Sequence, residues 1–145
     1  MGMEILYYQR TRLPAEIEAE SGARYVSYEE LLEASDFLSV HWPLNASTEG
    51  MIDTASFARM KPGAIIANIS RAQLIDRAAL ISALDSGRLG GAGLDVHYAE
   101  PGAPDEPLKN YRNVVLSPHV AVAQRAHNMA DTAEMVANLT EVLGG

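Results

Sequence analysis

The stretch Ala64-Ile65-Ile66-Ala67-Asn68-Ile69-Ser70-Arg71 decides the fold of this 145-residue chain. It is a short apolar run rich in isoleucine, and it ends in a hydroxyl group and a guanidinium group. Such runs between turn signals are typical of strands buried on both faces of a parallel sheet. Because open parallel sheets bind ligands beyond the carboxyl ends of their strands, we expect Ser70 and Arg71 at a binding rim. An arginine there can hold a carboxylate through two parallel hydrogen bonds.

Strand patterns alternate with helix patterns on both sides of this stretch. Strands are predicted at 4–8, 23–26, 36–40, 89–96 and 113–116, and helices at 15–21, after Ser27, and at 54–60, 77–86 and 124–143. A long loop with three prolines is predicted between 97 and 112. This alternation predicts an α/β fold with a parallel sheet and helices on both faces. We find no repeat or linker, so we expect residues 1–145 to form a single domain.

Composition narrows the classes of function. The net charge of −8 argues against nucleic acid or anionic membrane as a partner, because phosphate backbones require a basic surface. We find no apolar run long enough to span a bilayer and no secretory signal at the start. The chain has no cysteine, which excludes disulfides and zinc–thiolate sites and fits a reducing compartment. The expected localisation is cytoplasmic.

Three predicted strands end in side chains that can do chemistry. The central strand leads to Arg71, the glycine-rich strand to Asp95 and then Glu100, and the last strand to His119. Since parallel strands point the same way, these ends can converge on one rim. A cation, a carboxylate and an imidazole together form a proton-transfer set for an anionic substrate. A neighbouring carboxylate stabilises protonated imidazole, which would let His119 donate a proton to a carbonyl group.

Each of these residues also has a purely structural interpretation. Arg71 could cap its strand and face solvent, His119 could be a surface residue, Asp95 could form a turn, and Glu100 could be solvated. Motifs for metal binding, nucleophilic catalysis and nucleotide phosphates are absent, so no metal site is predicted. Gly91-Ala92-Gly93 is not a dinucleotide fingerprint, because Val96 stands where the third glycine would be.

Five segments, in order, match one known family. They are Val40-His41-Trp42-Pro43-Leu44, Met60-Lys61-Pro62-Gly63-Ala64, Asn68-Ile69-Ser70-Arg71, Gly91-Ala92-Gly93-Leu94-Asp95-Val96 with Glu100-Pro101, and Ser117-Pro118-His119-Val120. With them the chain resembles the carboxyl-terminal part of the NAD(P)-binding domain of the D-isomer-specific 2-hydroxyacid dehydrogenases. That family includes glyoxylate/hydroxypyruvate reductases and phosphoglycerate dehydrogenase, and it transfers hydride between NAD(P)H and 2-keto acids.

The resemblance implies a role for each matching residue. Arg71 would bind the 2-keto acid, His119 would exchange the proton, and Glu100 would orient and charge that histidine. The residues implied at the cofactor are Trp42, Pro43, Thr48, Ile69, Ser70, Arg71, Asp95 and His119, with Asp95 at the nicotinamide carboxamide.

The resemblance also implies that parts of the family fold are missing. The chain would open at the second strand, so the sheet would be an incomplete Rossmann-like sheet without its first βα unit or a substrate domain. Apolar surface left bare in this way would favour a homodimer. The alternative function is therefore a non-catalytic fragment or self-associating module that has lost cofactor binding.

The residues after the first strand bear on the choice of cofactor. Gln9 stands where NAD-specific members have an acidic residue, and Arg10 and Arg12 follow it. This pattern leans toward the 2′-phosphate of NADP over NAD. The alternative interpretation is a solvated basic turn.

Overall fold

In the computed structural model, which describes residues 2–99 and 106–121, six strands alternate with four α-helices. The strands are β1 (Ile5–Tyr7), β2 (Ala23–Tyr25), β3 (Phe37–Val40), β4 (Ala64–Asn68), β5 (Leu89–Leu94) and β6 (Val114–Leu116). The helices are α1 (Ala15–Ser21), α2 (Tyr28–Ala34), α3 (Thr54–Arg59) and α4 (Arg77–Asp85). Two 3-10 helices cover Ala72–Leu74 and Pro107–Asn110.

Local signals in the sequence set the helix starts. The Ser27 hydroxyl accepts a hydrogen bond from the Glu30 N–H at the start of α2 (3.1 Å). An Asp76 carboxylate oxygen accepts one from the Ala79 N–H at the start of α4 (2.7 Å). Both predicted caps are confirmed, because each satisfies an N–H that has no partner within the first turn.

The structure corrects several predicted boundaries. Strand β5 ends at Leu94 rather than at Val96, because the chain turns at Asp95. The predicted irregular loop at 97–112 contains the 3-10 helix Pro107–Asn110, which begins beside the capping side chain of Glu106. The predicted closing helix at 124–143 lies outside the described residues.

The sheet is parallel throughout but divided into two parts. Strands β1 and β2 form one pair, and β3-β4-β5-β6 form a four-stranded sheet in that order. Every pairing is parallel, so the predicted α/β class with an incomplete parallel sheet is confirmed. The division falls between the second and third strands of the chain.

One face of the four-stranded sheet carries the core. Val40 and Ile66 are buried and belong to one core cluster with Phe57 of α3 and Leu80 of α4. On the opposite face, Phe37, Ile65 and Val115 are 66%, 37% and 70% exposed. Within the described chain no helix has both the length and the apolar character needed to cross a bilayer.

Candidate active site at the carboxyl rim of the sheet

The loops that follow β4, β5 and β6 begin side by side at one rim. In the register of the sheet, Asn68 pairs with Leu94, and Leu94 pairs with Leu116. The Asp95 N–H donates to the Asn68 carbonyl (3.0 Å) and the Ser117 N–H donates to the Leu94 carbonyl (3.0 Å). The strand ends that carry Arg71, Asp95 and His119 are therefore neighbours in the sheet.

A buried amide fixes the turn that carries Arg71. Asn68 is fully buried, its Oδ1 accepts from the Ser70 N–H (3.0 Å), and its Nδ2 donates to the Arg71 carbonyl (2.8 Å). This is the local hydrogen bonding by which Asn substitutes for backbone in tight turns. The Arg71 side chain is exposed, and its Nη1 donates to the Ser70 carbonyl (2.7 Å).

The loop after β3 is joined to this turn. The Ser70 hydroxyl donates to the Trp42 carbonyl (2.6 Å). Thr48 closes the Trp42 loop on itself, because its hydroxyl donates to the Pro43 carbonyl (2.7 Å). Ile69 is 42% exposed. Five of the residues predicted at the cofactor therefore lie in two hydrogen-bonded loops: Trp42, Pro43, Thr48, Ile69 and Ser70.

Asp95 anchors the loop that carries His119. The carboxylate is 4% exposed, and its Oδ1 accepts from the Ser117 hydroxyl (2.5 Å) and the Val120 N–H (2.9 Å). Its Oδ2 accepts from the Ala121 N–H (2.6 Å). Three donors from both sides of His119 thus converge on one carboxylate.

These donors also decide the charge of Asp95. Burial opposes ionisation of the carboxyl group, but the hydrogen bonds from Ser117, Val120 and Ala121, with the charge of His119, outweigh it. The pKa of Asp95 therefore lies below its usual value, and the carboxylate stays ionised near neutral pH. The anchor is charge-assisted, which strengthens each of its bonds.

His119 adopts a backbone conformation that side chains rarely take. Its φ is 57°, the only positive φ at a non-glycine residue in the described chain. Its N–H donates to the Ser117 carbonyl (2.9 Å), and the same carbonyl lies 2.8 Å from Nε2 of His97. Backbone strain of this kind persists only where surrounding contacts impose it, and it concentrates at functional sites.

The segment after β1 is ordered by its own side chains. Nε2 of Gln9 donates to the Thr11 carbonyl (2.6 Å), and Arg12 forms two hydrogen bonds with Glu18 (2.7 and 2.8 Å). Arg10 is exposed. Of the two predicted cofactor-selecting arginines, Arg12 is therefore held in a bidentate ion pair with Glu18 of α1.

Glu100, the predicted partner of His119, lies outside the described residues. Asn68 and His97, which the site depends on for its shape, were not identified from the sequence. A polar residue closing an otherwise apolar strand was the available signal for Asn68. Among residues 2–99 and 106–121, no three His, Cys, Asp or Glu side chains are grouped so as to hold a metal ion.

A parallel sheet with polar loops at its carboxyl rim is the arrangement found in dinucleotide-binding α/β domains. The profile of the D-isomer specific 2-hydroxyacid dehydrogenase NAD binding domain matches residues 1–121. The chain belongs to this family.

Individual relatives agree with the family match. A glyoxylate reductase from Korarchaeum cryptofilum is 48% identical over 136 residues, which is 94% of this chain and 40% of that enzyme. The apo structure of Rhodotorula graminis D-mandelate dehydrogenase is 44% identical with a TM-score of 0.80, over 85% of this chain and 36% of that one. A Xanthobacter autotrophicus D-isomer specific 2-hydroxyacid dehydrogenase in complex with NADPH is 31% identical with a TM-score of 0.76, over 83% and 38% of the chains. The chain thus spans about two fifths of the length of its relatives.

The rim residues fit one end of a dinucleotide better than the other. Ile69 and Arg71 are exposed, Trp42 is half-buried, and all three lie on two loops that are joined by a hydrogen bond. Apolar side chains beside one charged group suit a ligand that is a flat ring with polar substituents. The phosphates are usually held by a glycine-rich turn at a helix N-terminus, and the sequence contains no such motif.

Proposed function

We propose that this chain is the cofactor-binding and proton-transfer half of a D-2-hydroxyacid dehydrogenase. The reaction is reversible hydride transfer between NAD(P)H and a small 2-keto acid. The observation that carries the proposal is the common rim, where Arg71 follows the buried Asn68 turn and His119 lies in a loop anchored by Asp95. Family membership supports the same reaction.

Arg71 is proposed to bind the substrate carboxylate. Its side chain is exposed at the rim, and a guanidinium pairs with a carboxylate through two parallel bonds. His119 is proposed to donate or accept the proton at the substrate C2 oxygen, and Glu100 to orient His119. The Asp95 carboxylate and the His97 ring hold the His119 loop in place while the proton moves.

The nicotinamide cofactor supplies the hydride when it is bound. This chain orients it, with Trp42, Pro43, Thr48, Ile69 and Ser70 proposed to line its nicotinamide end. Asp95 is proposed to meet the carboxamide group, in addition to its three bonds within the chain.

NADP is the proposed cofactor in preference to NAD. Arg10 is exposed just beyond β1, where a 2′-phosphate would lie, while Arg12 is engaged by Glu18. The Xanthobacter relative in complex with NADPH is consistent with this choice. Replacing Arg10 by Ala should weaken NADPH binding and leave NADH binding unchanged.

Glyoxylate or hydroxypyruvate is the proposed substrate. Relatives named for these two activities, from Korarchaeum and from Blautia hydrogenotrophica, are 48% and 40% identical to this chain. A homodimer is the proposed assembly, since apolar side chains are exposed on one face of the sheet. If the isolated chain proves inactive, that exposed face favours the second function, a self-associating module.

The test is turnover measured by the nicotinamide absorbance band. The chain is first assayed alone with NADH or NADPH and each keto acid. It is then assayed as a chimera, in which residues 1–121 of this chain replace the matching segment of the Korarchaeum enzyme. In the active form, Arg71→Ala should lower kcat/KM about 100-fold, mainly through KM, because a charge-assisted pair is lost. His119→Ala should lower kcat by about 100-fold or more, because general acid–base catalysis contributes that much.

The matched control is Arg59→Ala, which removes an exposed arginine that is paired with Glu33. Its kcat/KM should equal that of the parent. Full activity in both Arg71→Ala and His119→Ala would refute the proposed site.

A further inference from the structure

A network of three side chains joins the end of β1 to helix α1. The Arg12 guanidinium donates to both oxygens of the Glu18 carboxylate, from Nε to Oε1 (2.7 Å) and from Nη2 to Oε2 (2.8 Å). The Tyr7 hydroxyl also donates to Oε1 of Glu18 (2.6 Å). Two of these bonds hold Arg12 in the planar fork by which a guanidinium binds an anion.

The two partners of this ion pair differ in exposure. The Glu18 side chain is 13% exposed, whereas the Arg12 side chain is 63% exposed. The Arg12 guanidinium also lies over the ring of Tyr25, 5.5 Å from its centroid. Arg12 is therefore a solvent-accessible cation that is paired with a largely covered anion of its own chain.

Arg12 belongs to the segment in which the proposed cofactor-selecting residues lie. Gln9 and Arg10 stand between β1 and Arg12. The Tyr25 hydroxyl donates to the Gln9 carbonyl (3.3 Å), so the ring that contacts the Arg12 guanidinium also contacts the backbone of Gln9. In dinucleotide-binding domains, the residues at this place decide between a 2′-hydroxyl and a 2′-phosphate. Arg12 thus lies beside the proposed 2′-phosphate position but is engaged by Glu18.

A carboxylate and a phosphate compete for the same guanidinium, because both bind its fork through two parallel hydrogen bonds. The Arg12–Glu18 pair also presents little net charge to an approaching phosphate, since its two formal charges oppose each other. Arg10 is exposed. In the parent chain, attraction of a 2′-phosphate by this segment therefore depends mainly on Arg10.

We propose that Glu18 is a specificity-determining residue, which limits the preference of this chain for NADP over NAD by occupying the guanidinium of Arg12. The inference rests on the proposed cofactor function and deepens it. A variant that lacks the carboxylate should release Arg12 to the 2′-phosphate and bind NADPH more tightly.

A purely structural role of Glu18 makes a different prediction. The Tyr7 hydroxyl accepts from the Leu13 N–H (2.9 Å) and donates to Glu18, so the network also holds the segment after β1 in place. If Glu18 served only this purpose, its loss would weaken the binding of NADPH and NADH alike. Competition for Arg12 instead predicts a gain that is confined to NADPH.

The test variant is Glu18→Gln. The dissociation constants of NADPH and NADH are measured by titration calorimetry on the full 145-residue chain and on the chimera with the Korarchaeum enzyme. In the form that binds cofactor, Glu18→Gln should tighten NADPH binding about tenfold, as one added charge-assisted hydrogen bond would, and leave NADH binding unchanged. The glutamine oxygen can still accept from the Tyr7 hydroxyl, so the segment should keep its fold.

Three further variants isolate the competition. Glu16→Gln removes an exposed carboxylate from the same helix and should change neither constant. Tyr7→Phe loosens the segment but keeps the carboxylate, so it should not tighten NADPH binding. Adding Arg12→Ala to Glu18→Gln should abolish the gain, because Arg12 is the group that is released.

A second measurement needs no cofactor. The Arg12 Nε–H donates to Glu18, so its exchange with solvent requires that the pair open. Exchange of this hydrogen, followed by NMR, should accelerate about tenfold or more in Glu18→Gln and stay unchanged in Glu16→Gln.

A parallel change for NADPH and NADH in Glu18→Gln, an equal gain in Glu16→Gln, or unaltered exchange of the Arg12 Nε–H would overturn the inference. If the parent binds both cofactors and Glu18→Gln brings no gain for NADPH, the inference fails and the proposed cofactor function stands. If neither the chain nor the chimera binds NADPH or NADH, the proposed cofactor function fails and this inference fails with it.

Discussion

Asp95 is a single buried carboxylate that holds the loop carrying His119 in place. It accepts bonds from Ser117, Val120 and Ala121 and thereby encloses His119 between fixed points. A left-handed backbone at His119 becomes tolerable because these bonds outweigh its strain. The imidazole is thus positioned by main-chain restraint at the end of β6.

Replacing Asp95 by Asn should loosen this loop without unfolding the protein. The amide keeps the size of the side chain but loses the charge, and its NH2 group replaces one of the two oxygens that each accept a backbone N–H. Exchange of the Val120 and Ala121 amides should accelerate about tenfold or more, with Tm within a few degrees of the parent. Exchange rates measured by NMR check this.

Asp36→Asn, which changes an exposed aspartate that is paired with Lys61, serves as the control and should leave the two amides unchanged. Unaltered exchange of the Val120 and Ala121 amides in Asp95→Asn would show that the loop is held by other contacts.

Glu18 gives a pH-dependent prediction at the same scale. Hydrogen bonds from Arg12 and from the Tyr7 hydroxyl lower the pKa of Glu18 to about 2. Because an unfolded glutamate titrates near pH 4.3, the pair stabilises the fold above that pH, and its contribution is lost as the pH falls toward 2. The unfolding free energy of the parent should therefore fall more steeply between pH 5 and pH 2 than that of Glu18→Gln.

Urea denaturation at several pH values measures this difference. Glu16→Gln removes an exposed carboxylate of the same helix and should retain the parent's slope. Parallel curves for the parent and Glu18→Gln would contradict the pKa shift.

Among the elements, the packing of β5 depends most on glycine residues. A Cβ atom on Gly91 would lie 2.7 Å from the Asn113 carbonyl oxygen, and one on Gly90 would collide with the Gly63 carbonyl. A Cβ atom on Gly93 would meet nothing within 4 Å. The glycine-rich pattern thus reflects close backbone approach at two positions and open space at the third.

These glycines form a matched pair of substitutions. Gly91→Ala should destabilise the protein by about 1–3 kcal/mol, because the backbone of the neighbouring segment must move. Gly93→Ala should be neutral or slightly stabilising, because alanine restricts the unfolded chain without a clash. Chemical denaturation midpoints compare the two, and equal losses would refute the contact at Gly91.

At the scale of the whole molecule, the four-stranded sheet is covered on one face by α3 and α4 and carries apolar side chains on the other. Phe37, Ile65 and Val115 share that open face through the sheet register. Contiguous apolar surface of this kind favours association. We therefore expect this face to contribute to a dimer in solution.

Val115→Lys should weaken that dimer about tenfold or more, because a charge would be buried in an apolar contact. Ser82→Lys, an exposed position on α4, should not change the dissociation constant. Sedimentation equilibrium measures both. A monomeric parent chain, or an unchanged constant in Val115→Lys, would contradict the prediction.

The sequence by itself determined the local structure and the family. Alternating apolar runs and the caps at Ser27 and Asp76 depend on neighbouring residues, so the pattern predicted the element order and the parallel α/β class. Local signals of the same kind located the strand ends that bear the candidate catalytic side chains. These ends are the segment around Arg71 and the residues Ser117-Pro118-His119.

Tertiary structure alone decided what holds those ends. The bonds of Asp95 join residues 22 to 26 positions apart, and the link from Ser70 to Trp42 spans 28 positions. The division of the sheet between β1 and β3 is likewise a relation between distant segments. No local pattern records such contacts, because the side chains involved become neighbours only when the strands align.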